Sequence, residues 1–150
     1  MIYPITVFGD PLLRQIAKPI DKDYNGLSEL VENMFETMYF SDGVGLAAPQ
    51  IGMSIRIFVI DATGYADEEP ELADFKKVFI NPVIVERTGD EWAMNEGCLS
   101  LPEIREDIAR RETVRIKYVD ENFVEHDETY GGFASRVIQH EYDHLDGILF

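Results

Sequence analysis

Three β-branched segments follow one another along the chain with no amphipathic helix between them: SIRIFVID at 54–61, KVFINPVIVE at 77–86 and TVRIKYVD at 113–120. Parallel strands need a crossover of a dozen or more residues, usually helical, so this succession selects antiparallel pairing. DEN at 120–122 separates the third segment from FVEHDETY and predicts a hairpin. The acidic stretch ADEEPELAD at 66–74 reads as a solvated loop between strands. Helical spacing is confined to the two ends. From Leu27 the apolar residues Leu30, Val31, Met34, Phe35 and Met38 recur with that period, and Asp42-Gly43 is the stop signal. Asp10 before Pro11 predicts a capped short helix that ends before Pro19. In GGFASRVIQHEYDHLDG, Phe133, Val137, Ile138, Leu145 and Ile148 form a candidate buried stripe closed by Asp146-Gly147. The class is α+β, antiparallel strands flanked by a few helices.

At 150 residues the chain is long enough to bury a real core, and residues 1–150 read as a single domain with no repeat or linker. No apolar run approaches the roughly 20 residues that span a bilayer, which argues against a membrane protein. The opening MIYPITVFGDPLL has neither a basic region followed by an apolar core nor an Arg-rich pattern, so a cytoplasmic protein is expected. A net charge of −16 opposes binding to nucleic acid or anionic lipid. Cys98 is the single cysteine and cannot form an internal disulfide, which leaves a buried apolar role, a nucleophile or a metal ligand.

The chemistry gathers in QHEYDH. Two of only three histidines, His140 and His144, lie four residues apart around Glu141. On a helix that spacing puts both imidazoles on one face, which supplies half a metal site. A catalytic site takes three protein ligands and leaves a position for water. His126 lies among acids in an alternating strand and reads as a surface residue; Cys98, in EGCLSLP, is the better third ligand. Glu141, turned about 100° from His140, is placed to accept a proton from a water that then attacks a carbonyl carbon. GVGLAAPQIG at 43–52 offers oxyanion stabilisation: glycines for close backbone approach, small Ala47 and Ala48, and the Gln50 amide. The expected arrangement is antiparallel β-sheets packed around a central metal-binding helix carrying His-Glu-x-x-His. A zinc metallopeptidase is the alternative, although such helices usually recruit a third ligand from downstream. A metal-free Cys98 nucleophile with His140 as base leaves His144 and Glu141 without roles.

GVGLAAPQ at 43–50, EGCLS at 96–100 and QHEYDH at 139–144 together resemble the three motifs of peptide deformylases, in their order, and GDPLLRQIAKPI resembles the family's opening. The resemblance implies that Cys98, His140 and His144 bind the metal and that Glu141 shuttles the proton. It implies that Gln50 and the backbone N–H of Leu99 stabilise the oxyanion. Val44, Gly45, Leu99, Met94 and Val137 would line a methionine pocket. The implied substrate is a new polypeptide beginning with N-formylmethionine, met in transient proximity to the ribosome, and the implied products are formate and a free amino terminus. Thiolate and imidazole ligands alone favour zinc. The resemblance implies one ferrous iron per chain, with Zn2+, Ni2+ or Co2+ able to substitute. Many relatives continue past the third motif into a C-terminal helix or tail; catalysis is expected not to need one.

Overall fold

A computed structural model describes residues 2–6, 9–98 and 100–148. Its strands are β1 (Gly45–Ala47), β2 (Ile57–Asp61), β3 (Lys76–Cys98), β4 (Leu101–Val119) and β5 (Glu125–Gly131), joined in that order as one antiparallel sheet. The helices are α1 (Leu27–Phe40) and α2 (Gly132–Leu145). Antiparallel pairing and both end helices follow the sequence-based expectation, with two differences of extent. The segment at 77–86 continues as strand to Cys98, and the one at 113–120 begins at Leu101, so a long hairpin replaces two short strands. The extension has no apolar alternation. It is held by ladder pairing through two register shifts and by cross-strand charges such as Arg111 Nε to Glu91 Oε1 at 3.6 Å. Strand β1 also rises from GVGLAAPQ, whose small residues the sequence marked only for close approach.

The apolar run of β2 is explained by burial on both faces. Ile57 and Val59 pack under α1 with Leu30, Met34 and Met38, while Phe58 and Ile60 face α2 with Val137, Ile138 and Leu145. Helix α1 closes by a Schellman arrangement: the Gly43 N–H donates to Met38 O (2.9 Å) and the Asp42 N–H to Tyr39 O (3.1 Å). Asp42, at φ 57°, takes the left-handed position, which the expected Gly43 does not. The short turn at Pro11–Arg14 is a 3-10 helix capped by Asp10, as expected.

Two parts of the sequence reading change. The segment at 66–74 is more than solvated loop: Leu72 within it and Phe75 beside it are buried, and the Glu69 carboxylate accepts from the Phe133 N–H at the start of α2 (3.2 and 3.3 Å). An acid there satisfies an orphan donor and opposes the positive end of the helix dipole. Ile148 is not part of a buried stripe; it lies past the helix end and is 46% exposed.

The end of α2 matters for the site. Gly147, at φ 80°, donates to His144 O (3.2 Å), and the Ile148 N–H donates to Asp143 O (2.9 Å). A Cβ at 147 would lie 2.5 Å from Arg14 O, a backbone atom. The Gly147→Ala variant is expected to lose about 1–3 kcal/mol of stability, seen as a lower midpoint in urea. An unchanged midpoint would show that this turn does not need glycine.

Candidate metal centre and substrate cleft

Helix α2 brings His140 and His144 to one face, and the end of β3 brings Cys98 opposite them. The ligand atoms of the three lie within 4.8 Å of one another, with Cys98 Sγ to His144 Nε2 at 3.5 Å and the two Nε2 atoms at 3.1 Å. Each histidine is fixed through its other nitrogen. His144 Nδ1 meets the Ile148 carbonyl at 3.0 Å, and His140 Nδ1 meets Glu96 Oε1 at 2.9 Å. These acceptors place a proton on Nδ1 in both rings, which turns both Nε2 atoms toward the thiol as the positions from which a metal would be bound. Two buried nitrogens and one sulfur at this spacing form a soft, three-donor set that fits a divalent transition metal. His126 is elsewhere, half-buried, with Nε2 at 2.9 Å from Asp120 Oδ2 and its ring stacked on Tyr118.

Charge around the site is set by burial and by two arginines. Burial pushes His144 down to about 3, reinforced by the neighbouring His140 charge, so this imidazole is neutral and available as a donor. Burial would lower His140 too, but its hydrogen bonds to Cys98 and Glu96 overrule it and raise it to about 10. Burial likewise would raise Glu96, yet hydrogen bonds from His140 and Arg110 and the Arg110 charge hold its carboxyl at about 2. Arg110 grips that carboxylate with Nε to Oε2 at 2.9 Å and Nη2 to Oε1 at 3.0 Å, and Arg136 Nη1 adds a third contact. Arg110 also reaches Asp143 Oδ2 at 2.9 Å, and the Arg136 guanidinium lies 4.3 Å from the centre of the Trp92 ring.

Glu96 had no role in the sequence reading beyond opening EGCLS. A signal for it was present. Arg136 precedes His140 by four residues and falls on the buried face of α2, where a cation requires a carboxylate partner.

Glu141 is 4% exposed, and its Oε1 has no hydrogen-bond partner among the described residues. Burial raises this carboxyl to about 7, the range in which a group both takes and returns a proton at neutral pH. Gly45 packs closely against it: a Cβ there would stand 2.7 Å from Glu141 Oε2 and displace the carboxyl. Gln50 is buried, its Oε1 held by the Ala47 N–H (2.9 Å), which points Nε2 at Cys98 Sγ (3.6 Å) and Ser100 Oγ (3.4 Å). Leu99 lies outside the described residues.

A cleft of about 530 Å³ opens onto these groups. Val44, Gly45, Met94 and Val137 all line it, together with Phe133, which the sequence placed only in a buried stripe, and Tyr65, which the sequence did not single out. The arrangement combines a three-ligand site, a buried proton carrier, an amide donor and an apolar cleft, which suits hydrolysis of an amide.

The family model described as Polypeptide deformylase matches residues 2–150. The chain belongs to the polypeptide deformylase family. Peptide deformylase of Christiangramia forsetii is 57% identical over an alignment of 157 residues, covering 100% of this chain and 80% of that protein. The crystal structure of peptide deformylase from Thermotoga maritima matches with a TM-score of 0.89 at 44% identity, covering 99% of this chain and 95% of that one. A class I type b peptide deformylase from Acinetobacter baumannii, solved with Met-Ala-Ser bound, matches with a TM-score of 0.89 at 34% identity, covering 100% of this chain and 96% of that one. Deformylases are metal-dependent, and Cys98, His140 and His144 are the donor set available for a metal here.

Proposed function

We infer that this chain is a peptide deformylase, a metal-dependent hydrolase that removes the formyl group from N-terminal formylmethionine of newly made polypeptides. The products are formate and a free amino terminus. The observation that carries this reading is the convergence of Cys98 Sγ and the two histidine Nε2 atoms within 4.8 Å, beside a buried Glu141 carboxyl, in a chain of this family.

Cys98, His140 and His144 would hold the metal, with Fe2+ in the cell and Zn2+, Ni2+ or Co2+ able to replace it. When bound, the metal lowers the pKa of a water from about 15.7 toward 7 and polarises the carbonyl. Glu141 accepts the proton of the attacking water and returns it to the leaving nitrogen. Gln50 Nε2, with the Leu99 N–H, donates to the oxygen that gains negative charge. Val44, Gly45, Met94, Leu99 and Val137 receive the methionine. The 150 residues act as one catalytic domain in the cytoplasm, in transient proximity to the ribosome and without a nucleic-acid or membrane partner. No helix among the described residues is long and apolar enough to cross a membrane.

A zinc metallopeptidase remains the rival, and product analysis separates the two. Mass spectrometry of formyl-Met-Ala-Ser treated with anaerobic, ferrous-loaded protein is expected to give Met-Ala-Ser with every peptide bond intact. Cleavage at an internal bond would favour the peptidase. Ligation is tested by iodoacetamide: Cys98 is expected to alkylate fast only after chelation, and fast alkylation of the loaded protein would remove it from the ligand set.

A further inference from the structure

Tyr65 lies on the 3-10 turn after β2 and lines the same cleft as Cys98 and His140, although the stretch that follows it, 66–74, reads as solvent-facing in sequence. Its ring meets that of Phe133, centroid to centroid at 4.7 Å. Four residues on, Glu69 accepts the backbone N–H of that same Phe133. The loop thus holds Phe133 twice, by its ring and by its main chain, at the first turn of α2.

Phe133, Val137 and His140 occupy one stripe of α2 that faces the cleft. From His140 to Phe133 is seven residues, about 10 Å along the axis. A formyl carbon and an extended methionine side chain together span about 8 Å, so a formyl group held beside His140 with its side chain lying along this stripe would bring the thioether methyl against Phe133. We propose that Tyr65 is a specificity-determining residue: with Phe133 it closes the far end of the methionine pocket and limits the length of the first side chain. Its 41% exposure places it at the rim, where the ring stops Phe133 from swinging outward. This proposal rests on the deformylase reading.

The test compares formate release from formyl-X-Ala-Ser peptides with X as methionine, norleucine or 2-aminooctanoic acid, using the full ferrous-loaded chain, Tyr65→Ala and Tyr65→Phe. The parent is expected to lose at least about tenfold in kcat/KM from methionine to 2-aminooctanoic acid, the scale of one or two methylenes in a closed pocket. Tyr65→Ala is expected to raise the 2-aminooctanoate-to-methionine ratio of kcat/KM at least about tenfold, and Tyr65→Phe, which keeps the ring, to hold the parent's ratio. Each ratio is taken on one sample, so partial unfolding of a variant cancels. An unchanged ratio in Tyr65→Ala, or a Tyr65→Phe that behaves like Tyr65→Ala, overturns the proposal. Formate from none of the peptides with the parent would instead refute the deformylase reading and this proposal with it.

Discussion

Glu141→Gln is expected to retain its metal and to lose turnover by at least about 10²-fold, the scale of a general acid-base residue. The side chain keeps its volume and its place beside Gly45, so the ligands Cys98, His140 and His144 are undisturbed. What disappears is the ability to hold a proton between two steps. Metal content by elemental analysis and kcat on a formylated tripeptide check both halves. A variant that keeps full turnover would remove Glu141 from the mechanism, and one that loses its metal would make it a ligand.

The same carboxyl has a stability signature. Its pKa is 4.5 in ordinary surroundings and is raised by burial to about 7 in the fold. A group raised in this way contributes its stability below pH 4.5 and loses it as pH rises through 7. At pH 8 the cost to chelator-treated protein is roughly 3 kcal/mol. Chelated Glu141→Gln is therefore expected to melt above the chelated parent at pH 8 and to converge with it near pH 4. Equal melting at pH 8 would mean that the ionised carboxyl is compensated in solution.

The second large effect is expected at Glu96. Its carboxylate is 8% exposed and serves two arginines that are 5% and 2% exposed, Arg110 and Arg136, as well as His140. Breaking a buried ion pair by removing one partner costs about 3–5 kcal/mol, because the remaining charge is stranded. Among the described residues, Glu96→Ala leaves Arg136 with the Ile108 and Trp92 carbonyl oxygens and the Trp92 ring. It also removes the carboxylate that meets His140 Nδ1, and loss of such an orienting partner weakens metal binding about 10–100-fold. Denaturant unfolding and metal titration of Glu96→Ala measure the two effects. A variant within about 1 kcal/mol of the parent would mean that the arginines find other partners.

Much of the site is legible in sequence because its chemistry is local. His140 and His144 share a helix face by period alone, and Cys98 is the sole thiol. The β-branched strands and the two helices, α1 and α2, follow from short apolar runs and from a period of 3.6 residues. The hairpin arms at 87–98 and 107–112 escape that reading because charged residues fall at both odd and even positions, as with Glu91 and Arg111 against Glu96 and Arg110, and backbone ladders leave no mark on composition. Glu96 and Glu69 escape for a different reason. Each is one acid among 29 acidic residues, and its role comes from a partner far along the chain, Arg110 or Arg136 for the first and Phe133 for the second. Tyr65 follows the same logic, since only the fold sets its ring against Phe133.

The most direct measurement is formate release from formyl-Met-Ala-Ser by anaerobically purified, ferrous-loaded protein, run beside acetyl-Met-Ala-Ser. Formate from the first, no acetate from the second and loss of the reaction on chelation are the expected results. No release from either peptide, with metal bound through Cys98, would contradict deformylation at this site.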